Sequence, residues 1–229
     1  MEDKVWMKKR KHVNKETNEK DSEKKAKTNE TTPIKSDSNN INSSIYSNNN
    51  DIYFYSSIDK STSISFQHEV EKVYKSILEN IATAHAKGYK LSFPPITIHY
   101  NSPGGGVFAA FSMIDYLRLL KQRDRRVKIH SIVEGRAASA ATLLSVTADK
   151  RYATKYGYML IHQLSSMCWG KYNELKDEIE NCDALMNRIK KIYKDHTNIP
   201  EDELDKILSH DLYWDATKCL EVGLIDEVL

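Results

Sequence analysis

The sequence predicts an α/β domain in which helices pack on a largely parallel β-sheet. Apolar segments of strand length alternate with amphipathic segments of helix length over most of the 229 residues. Glycine and proline mark several of the boundaries between these segments. The chain contains no internal repeat and no apolar run long enough to span a membrane. The alternation therefore favours strands joined by crossover helices.

Residues 1–50 differ in composition from the rest of the chain. They are rich in Lys, Asn, Ser, Thr and Glu, and their only aromatic residues are Trp6 and Tyr46. A segment of this kind buries too little apolar surface to offset the entropy lost on ordering. We therefore predict a disordered polar tail over residues 1–50 and one folded domain over residues 51–229.

The positive charge of the chain lies in the predicted tail. Eleven Lys and Arg against eight Asp and Glu give residues 1–50 a charge of +3, whereas the whole chain carries +2. The predicted domain is therefore close to −1. It shows no basic face and no aromatic-basic motif, so we expect neither a nucleic acid nor a membrane as a partner.

Strand and helix signals alternate through the first part of the predicted domain. A β-branched and aromatic segment opens it, and proline residues precede the second strand. Helices are predicted from apolar residues at helical spacing. In chain order the predicted elements are a strand at 51–56, a helix from about 65, a strand at 96–100, a helix at 107–120, a strand at 127–133 and a helix at 138–146.

The second part of the domain predicts two short strands and three helices. The longest helix is charged and carries an apolar stripe that includes Leu175, Ile179, Ile189 and Tyr193. Asp215 is a predicted N-cap, and Gly223 ends the last helix. In chain order the elements are strands at 150–153 and 158–161 and helices at 173–196, from 200 onward and at 215–222.

The cysteines indicate a reducing compartment. Cys168, Cys182 and Cys219 are odd in number and lack the spacing of metal ligands. The N-terminal residues lack the apolar core of a signal peptide. We therefore predict a cytoplasmic protein with free thiols, no metal and no cofactor, and an organelle location is the alternative that stays open.

Three short segments supply the groups that acyl transfer to water requires. Residues 101–106 form a glycine turn with free backbone N–H groups, residues 135–141 place Ser139 at a strand-to-helix junction, and residues 159–163 end an apolar strand on His162. These are an oxyanion site, a nucleophile and a base. Each segment alone also fits a plain turn, a tightly packed helix start or a core histidine, so the prediction depends on the set.

The same segments resemble those of the Clp protease proteolytic subunit family. The matching motifs are Asn-Ser-Pro-Gly-Gly, Gly-x-Ala-Ala-Ser, Ile-His-Gln and the ending Gly-Leu-Ile-Asp, over residues 51–229. The Ala-Ala-Ser-Ala-Ala wording resembles the phage-type, Clp-like branch. The resemblance implies a Clp protease/crotonase-like fold with a C-terminal handle helix, and a serine endopeptidase activity.

Carried over by position, the resemblance implies a role for five residues. Ser139 matches the nucleophile, His162 the base and Asp211 the carboxylate that orients the base. The flank of Asp211 departs from the family pattern, and Asp205 and Asp215 remain alternatives. The backbone N–H groups of Gly105 and Ala140 match the oxyanion donors.

The resemblance also implies polypeptide substrates, a ring-shaped homo-oligomer and an AAA+ unfoldase partner. ATP would act only through that partner. Leu164 and the residues after it depart from the family pattern, which has proline at this position, so the resemblance does not decide between a single and a double ring. The polar N-terminus replaces a short pore segment of the family, so the resemblance does not decide whether an ATPase docks. Two other functions remain open: a non-proteolytic assembly subunit and a crotonase-type acyl-CoA enzyme, since that fold also uses glycine-rich oxyanion turns.

Overall fold

The domain is built on one mainly parallel, eight-stranded sheet with helices packed against it. A computed structural model describes residues 44–229, and the predicted tail up to residue 43 lies outside the described residues. The strands are β1 (Ile45–Asn48), β2 (Asp51–Phe54), β3 (Ile96–Ser102), β4 (Ile129–Ala138), β5 (Lys150–Ala153), β6 (Tyr158–Leu160), β7 (Trp214–Asp215) and β8 (Glu227–Val228). The helices are α1 (Lys60–Ala86), α2 (Val107–Arg123), α3 (Ala140–Val146), α4 (Tyr172–His196), α5 (Glu201–Leu208) and α6 (Ala216–Glu221). The predicted α/β class is confirmed.

The strands run in the order β1-β2-β3-β4-β5-β8. The pairs β2–β3, β3–β4, β4–β5 and β5–β8 are parallel, whereas β1 joins β2 as an antiparallel hairpin. Parallel strands buried between helices favour apolar runs, and the alternating core residues of β2, β3 and β4 are almost fully buried. The largest of them are Tyr100, Phe54, Ile52, Ile96 and Ile98.

Strand β4 pairs with two different strands on the same side, one along each half of its length. Its first half, around Val133, pairs with β5, and its last three residues, 136–138, pair with β6. A register shift against β3 between Tyr100 and Ser102 separates the halves. The sequence predicted that this strand would end at residue 133. The prediction was wrong because residues 136–138 pair with β6, and residue 137 also pairs with β3. Both partners are distant in sequence, and their hydrogen bonds keep the chain extended as far as Ala138.

The ordered domain begins before residue 51. Ile45 is buried, and the rings of Tyr46 and Tyr53 stack with their centroids 4.7 Å apart across the β1–β2 ladder. The predicted boundary at residue 51 is therefore too late. Ile45 and Tyr46 are surrounded by serine and asparagine residues in the sequence. Composition alone therefore assigned residues 45–48 to the tail.

Helix α1 also begins earlier than the expected position near Ser65. Asp59 caps it, because the Asp59 side chain accepts a hydrogen bond of 2.9 Å from the backbone N–H of Thr62. The predicted long helix is α4. Only its C-terminal half enters the core, through Ile189 and Tyr193.

Two features are absent from residues 44–229. None of their helices is both long enough and apolar enough to cross a bilayer. They contain no group of three or more His, Cys, Asp or Glu side chains arranged to hold a metal ion.

Two truncations should separate the tail from β1. Deleting residues 1–43 removes only residues that precede β1, so we expect the thermal unfolding midpoint to stay nearly unchanged. Deleting residues 1–50 also removes buried Ile45 and the β1–β2 ladder. We expect this deletion to lower the midpoint by about 3–12 °C, because burial of one such side chain is worth roughly 1.5–3 kcal/mol. Scanning calorimetry of both proteins measures the difference, and equal midpoints would show that β1 adds nothing.

Candidate active site

Ser139, the predicted nucleophile, occupies a strained turn between β4 and α3. Its backbone has φ 55° and ψ −127°, a conformation that a residue with a Cβ atom seldom adopts. Such a conformation costs on the order of 1–3 kcal/mol and persists only where neighbouring groups fix it. Ser139 lines a cavity of about 150 Å³ together with His162.

Hydrogen bonds hold this turn on both sides of Ser139. Its backbone N–H donates to the carbonyl of Leu160 at 2.8 Å, which ties it to the end of β6. Its carbonyl accepts from the backbone N–H of Thr142 at 2.9 Å and from the Thr142 hydroxyl at 2.6 Å. The strained peptide is therefore anchored to β6 and to the first turn of α3.

The glycine turn packs directly against Ser139. At Gly104, with φ +89°, an added Cβ would overlap the Ala138 carbonyl and lie 2.7 Å from the Cβ of Ser139. At Gly105, with φ +145°, it would overlap the carbonyl of Ile58. Ile58 fixes the turn by donating to the Gly104 carbonyl at 2.8 Å and accepting from the Gly106 N–H at 2.7 Å. Only glycine permits this approach.

The two predicted oxyanion donors lie at the same cavity. Gly105 and Ala140 both line it together with Ser139. The Gly105 N–H donates to no other group among residues 44–229. Ala140 opens α3, and the first N–H groups of a helix have no acceptor within it. Both N–H groups are therefore free to bind an oxygen that carries negative charge.

His162 follows β6 and contacts Asp211. Its Nδ1 lies 2.8 Å from Oδ1 of Asp211, which belongs to the loop after α5. The neighbouring backbone adds a second link, because the N–H of Gln163 donates to the Leu208 carbonyl at 2.7 Å. The Asp211 side chain is 77% exposed. The structure thus brings the predicted base and the predicted carboxylate together at the protein surface.

The other two candidate carboxylates have different partners. Asp205 forms an ion pair of 2.5 Å with Lys190. Asp215 caps α6 by accepting a hydrogen bond of 2.8 Å from the N–H of Lys218. Asp211 is therefore the one of the three that meets His162.

Ser139 and His162 both line the cavity, but in the described part of the chain their side chains do not form a direct hydrogen bond with each other. Bonds of this type are often long in a structure without substrate and shorten when substrate binds. Ser139, His162, Asp211 and the two N–H groups could together perform acyl transfer once a carbonyl group enters the cavity.

Sequence reasoning missed the apolar wall of the cavity and the residues behind Ser139. Ile189 and Tyr193 of α4 line the cavity together with Val107 and Leu143. The sequence places Ile189 and Tyr193 on the apolar stripe of α4, but the stripe does not reveal which of its turns faces the site. Thr142 carries no sequence signal, since it only ends a run of small residues.

A model of the Clp protease family matches residues 47–229. The proteolytic subunit 1 of an ATP-dependent Clp protease from Chlamydia pneumoniae is 30% identical to this chain over 139 residues. That match covers 59% of this chain and 70% of the relative. The chain therefore belongs to the Clp protease family, a family of peptidases, as the sequence motifs predicted. Its mixed α/β structure, with a mostly parallel sheet and flanking helices, is the Clp/crotonase-like fold.

Replacing Gly104 with alanine should damage the site more than the fold. The new Cβ would displace Ser139 and the Ala138 carbonyl, and we expect peptidase turnover to fall by roughly 10- to 100-fold. Gly88→Ala is the matched control, because Gly88 has a similar φ of +82° with open space around it. The control should lose a little stability and no activity. Equal turnover in the two variants would contradict the close approach of Gly104 to Ser139.

Proposed function

We propose that this protein is a serine endopeptidase that hydrolyses polypeptides with Ser139, His162 and Asp211. The observation that carries the proposal is that Ser139, His162 and Gly105 line one cavity while Asp211 lies within hydrogen-bonding distance of Nδ1 of His162. Membership of the Clp protease family supports a peptidase with this arrangement.

The proposed reaction starts when Ser139 Oγ attacks the carbonyl carbon of a peptide bond. His162 Nε2 accepts the hydroxyl proton, and the Asp211 carboxylate accepts a hydrogen bond from Nδ1–H, which fixes the tautomer of the ring. The N–H groups of Gly105 and Ala140 stabilise the negative oxygen of the tetrahedral intermediate. His162 then protonates the leaving amine, and an acyl ester remains on Ser139. Water then attacks the ester carbonyl while His162 accepts its proton, the bond to Ser139 Oγ breaks, and His162 returns the proton to Oγ as the carboxylic acid product leaves.

A second candidate is a non-proteolytic assembly subunit. One observation favours it: Asp211 is largely exposed rather than sheltered. An enzyme of the crotonase type has no such support, because the family match is to the Clp protease family.

We also propose that the chain forms a ring-shaped homo-oligomer. Apolar side chains at the start of α4 and just before it are exposed, including Trp169 at 99%, Tyr172 at 71% and Ile179 at 62%. Exposed apolar surface of this kind is typical of protein interfaces. An AAA+ unfoldase would deliver substrates to the ring, and ATP would act through that partner alone. The free thiols of Cys168, Cys182 and Cys219 support a cytoplasmic location.

Replacing Ser139 or His162 should abolish peptide hydrolysis. Triad members act as a unit, so Ser139→Ala, His162→Ala and the double variant should lose similar amounts of kcat, on the order of 10³-fold or more. A fluorophosphonate should label Ser139 in the wild type and not in the variants, as measured by mass spectrometry. Hydrolysis that survives in Ser139→Ala would refute the proposed mechanism, and an unlabelled wild type would favour the non-proteolytic subunit.

Asp211 has a matched control in Asp205. Asp211→Asn should lower kcat by about 10²-fold or more, because the amide disturbs the tautomer of His162. Asp205→Asn removes only the ion pair with Lys190 and should leave kcat unchanged. Equal kcat values for the two variants would show that the Asp211 contact has no role in catalysis.

Analytical ultracentrifugation tests the oligomer. We expect an assembly at micromolar concentration that is weakened when Trp169 and Ile179 are both replaced by serine, since this removes exposed apolar surface. Tyr89→Ser is the control, because Tyr89 is an exposed aromatic residue in the segment that follows α1. A monomeric wild type would exclude the oligomer.

A further inference from the structure

A buried hydrogen-bonded pair lies directly behind the Ser139 turn. The hydroxyls of Thr142 and Tyr193 are 2.6 Å apart, and they join α3 to the last part of α4. Thr142 is fully buried, and Tyr193 is 1% exposed. The Thr142 hydroxyl also lies 2.6 Å from the Ser139 carbonyl. Three groups therefore form a continuous chain from α4 to the strained peptide.

The direction of this chain follows from the number of protons. The Ser139 carbonyl can only accept a hydrogen bond, so the Thr142 hydroxyl donates its single proton there. The Tyr193 hydroxyl must then donate to the oxygen of Thr142. Burial raises the pKa of Tyr193, which keeps this donor protonated at neutral pH. Each bond in the chain thus has one allowed polarity.

The Ser139 carbonyl shares a peptide plane with the N–H of Ala140. Since this unit is rigid and trans, the direction of the carbonyl fixes the direction of the N–H on the opposite side. Ala140 N–H is one of the two proposed oxyanion donors. A group that holds the Ser139 carbonyl therefore also aims this donor at the cavity.

Hydrogen bonds are needed at this carbonyl because the Ser139 backbone is strained. The φ of 55° at a residue with a side chain would relax if its carbonyl were free to rotate. The Thr142 backbone N–H supplies one bond of 2.9 Å, and the hydroxyl chain supplies the other.

We propose that Tyr193 is a positioning residue of the active site, which acts through Thr142 to fix the Ser139–Ala140 peptide and so the oxyanion donor of Ala140. The proposal rests on the proposed serine peptidase function. Tyr193 and Thr142 do not react with the substrate. Their contribution is the orientation of a group that binds charge only in the transition state, so it should appear in kcat and leave KM nearly unchanged.

The test compares Tyr193→Phe, Thr142→Val and the double variant on a fluorogenic peptide. We expect kcat to fall by about tenfold or more in Thr142→Val, somewhat less in Tyr193→Phe, and no further in the double variant than in Thr142→Val. Thr142→Ser keeps the hydroxyl and should restore kcat. Tyr100→Phe is the matched control, because the Tyr100 hydroxyl is buried with no hydrogen-bond partner among the described residues.

Comparing the unfolding midpoint with kcat shows whether Tyr193 and Thr142 position the active site or only stabilise the fold. Each single variant leaves one buried hydroxyl short of a partner and should lower the unfolding midpoint, whereas the double variant removes both hydroxyls and should recover most of it. Positioning predicts that kcat stays low in the stable double variant. Recovery of kcat together with stability would overturn the proposal.

A crystal structure of the double variant gives a readout that does not depend on activity. We expect Ser139 to leave the positive φ region or the Ala140 N–H to turn away from the cavity. An unchanged Ser139–Ala140 peptide would overturn the proposal. If the wild type neither cleaves peptides nor reacts at Ser139, the proposed function fails, and this structural comparison still decides whether Tyr193 holds the peptide.

Discussion

The pairing of β4 with β6 is the constraint on which the site depends. Ala138 and Leu160 are partners in this parallel ladder, so the residues that follow them, Ser139 and Ile161, leave the sheet side by side. The hydrogen bond from Ser139 N–H to the Leu160 carbonyl continues the ladder by one step. His162 comes next in the chain and lines the same cavity as Ser139. Two residues far apart in sequence thus meet because parallel strands end at the same edge of a sheet.

The strained conformation of Ser139 is maintained by contacts from four parts of the chain. Leu160 binds its N–H, Thr142 binds its carbonyl, Tyr193 supports Thr142, and the glycine turn at Gly104 packs against its Cβ. None of these contacts is strong alone, since a net hydrogen bond contributes about 0.5–1.5 kcal/mol. Together they can offset a backbone strain of roughly 1–3 kcal/mol. These contacts fix the Ser139 backbone and leave its side chain facing the cavity.

Local patterns in the sequence predicted most of the fold, because the apolar period identifies the helices. The site segments were predicted from the three motifs taken together and from their resemblance to the Clp protease family, since each motif alone also fits an ordinary turn or a core residue. Features that depend on distant pairing were not predictable in this way. The continuation of β4 to Ala138 requires β6, the order of residues 45–48 requires β2, and the choice of Asp211 requires the partners of Asp205 and Asp215. The Thr142–Tyr193 bond likewise joins two helices whose contact no local period encodes.

Asp211 is the least sheltered of the proposed catalytic groups, and this links catalysis to assembly. The attraction between a water-exposed carboxylate and a nearby imidazole contributes little free energy, because water screens the interaction. The same loop exposes the apolar side chains of Leu212 and Tyr213. A second subunit that covered these side chains would also exclude water from Asp211 and strengthen its bond to His162. The proposed homo-oligomer would therefore supply the low-dielectric surroundings that the isolated chain lacks, and the absence of a Ser139–His162 hydrogen bond is consistent with an active site that is completed only by substrate and neighbours.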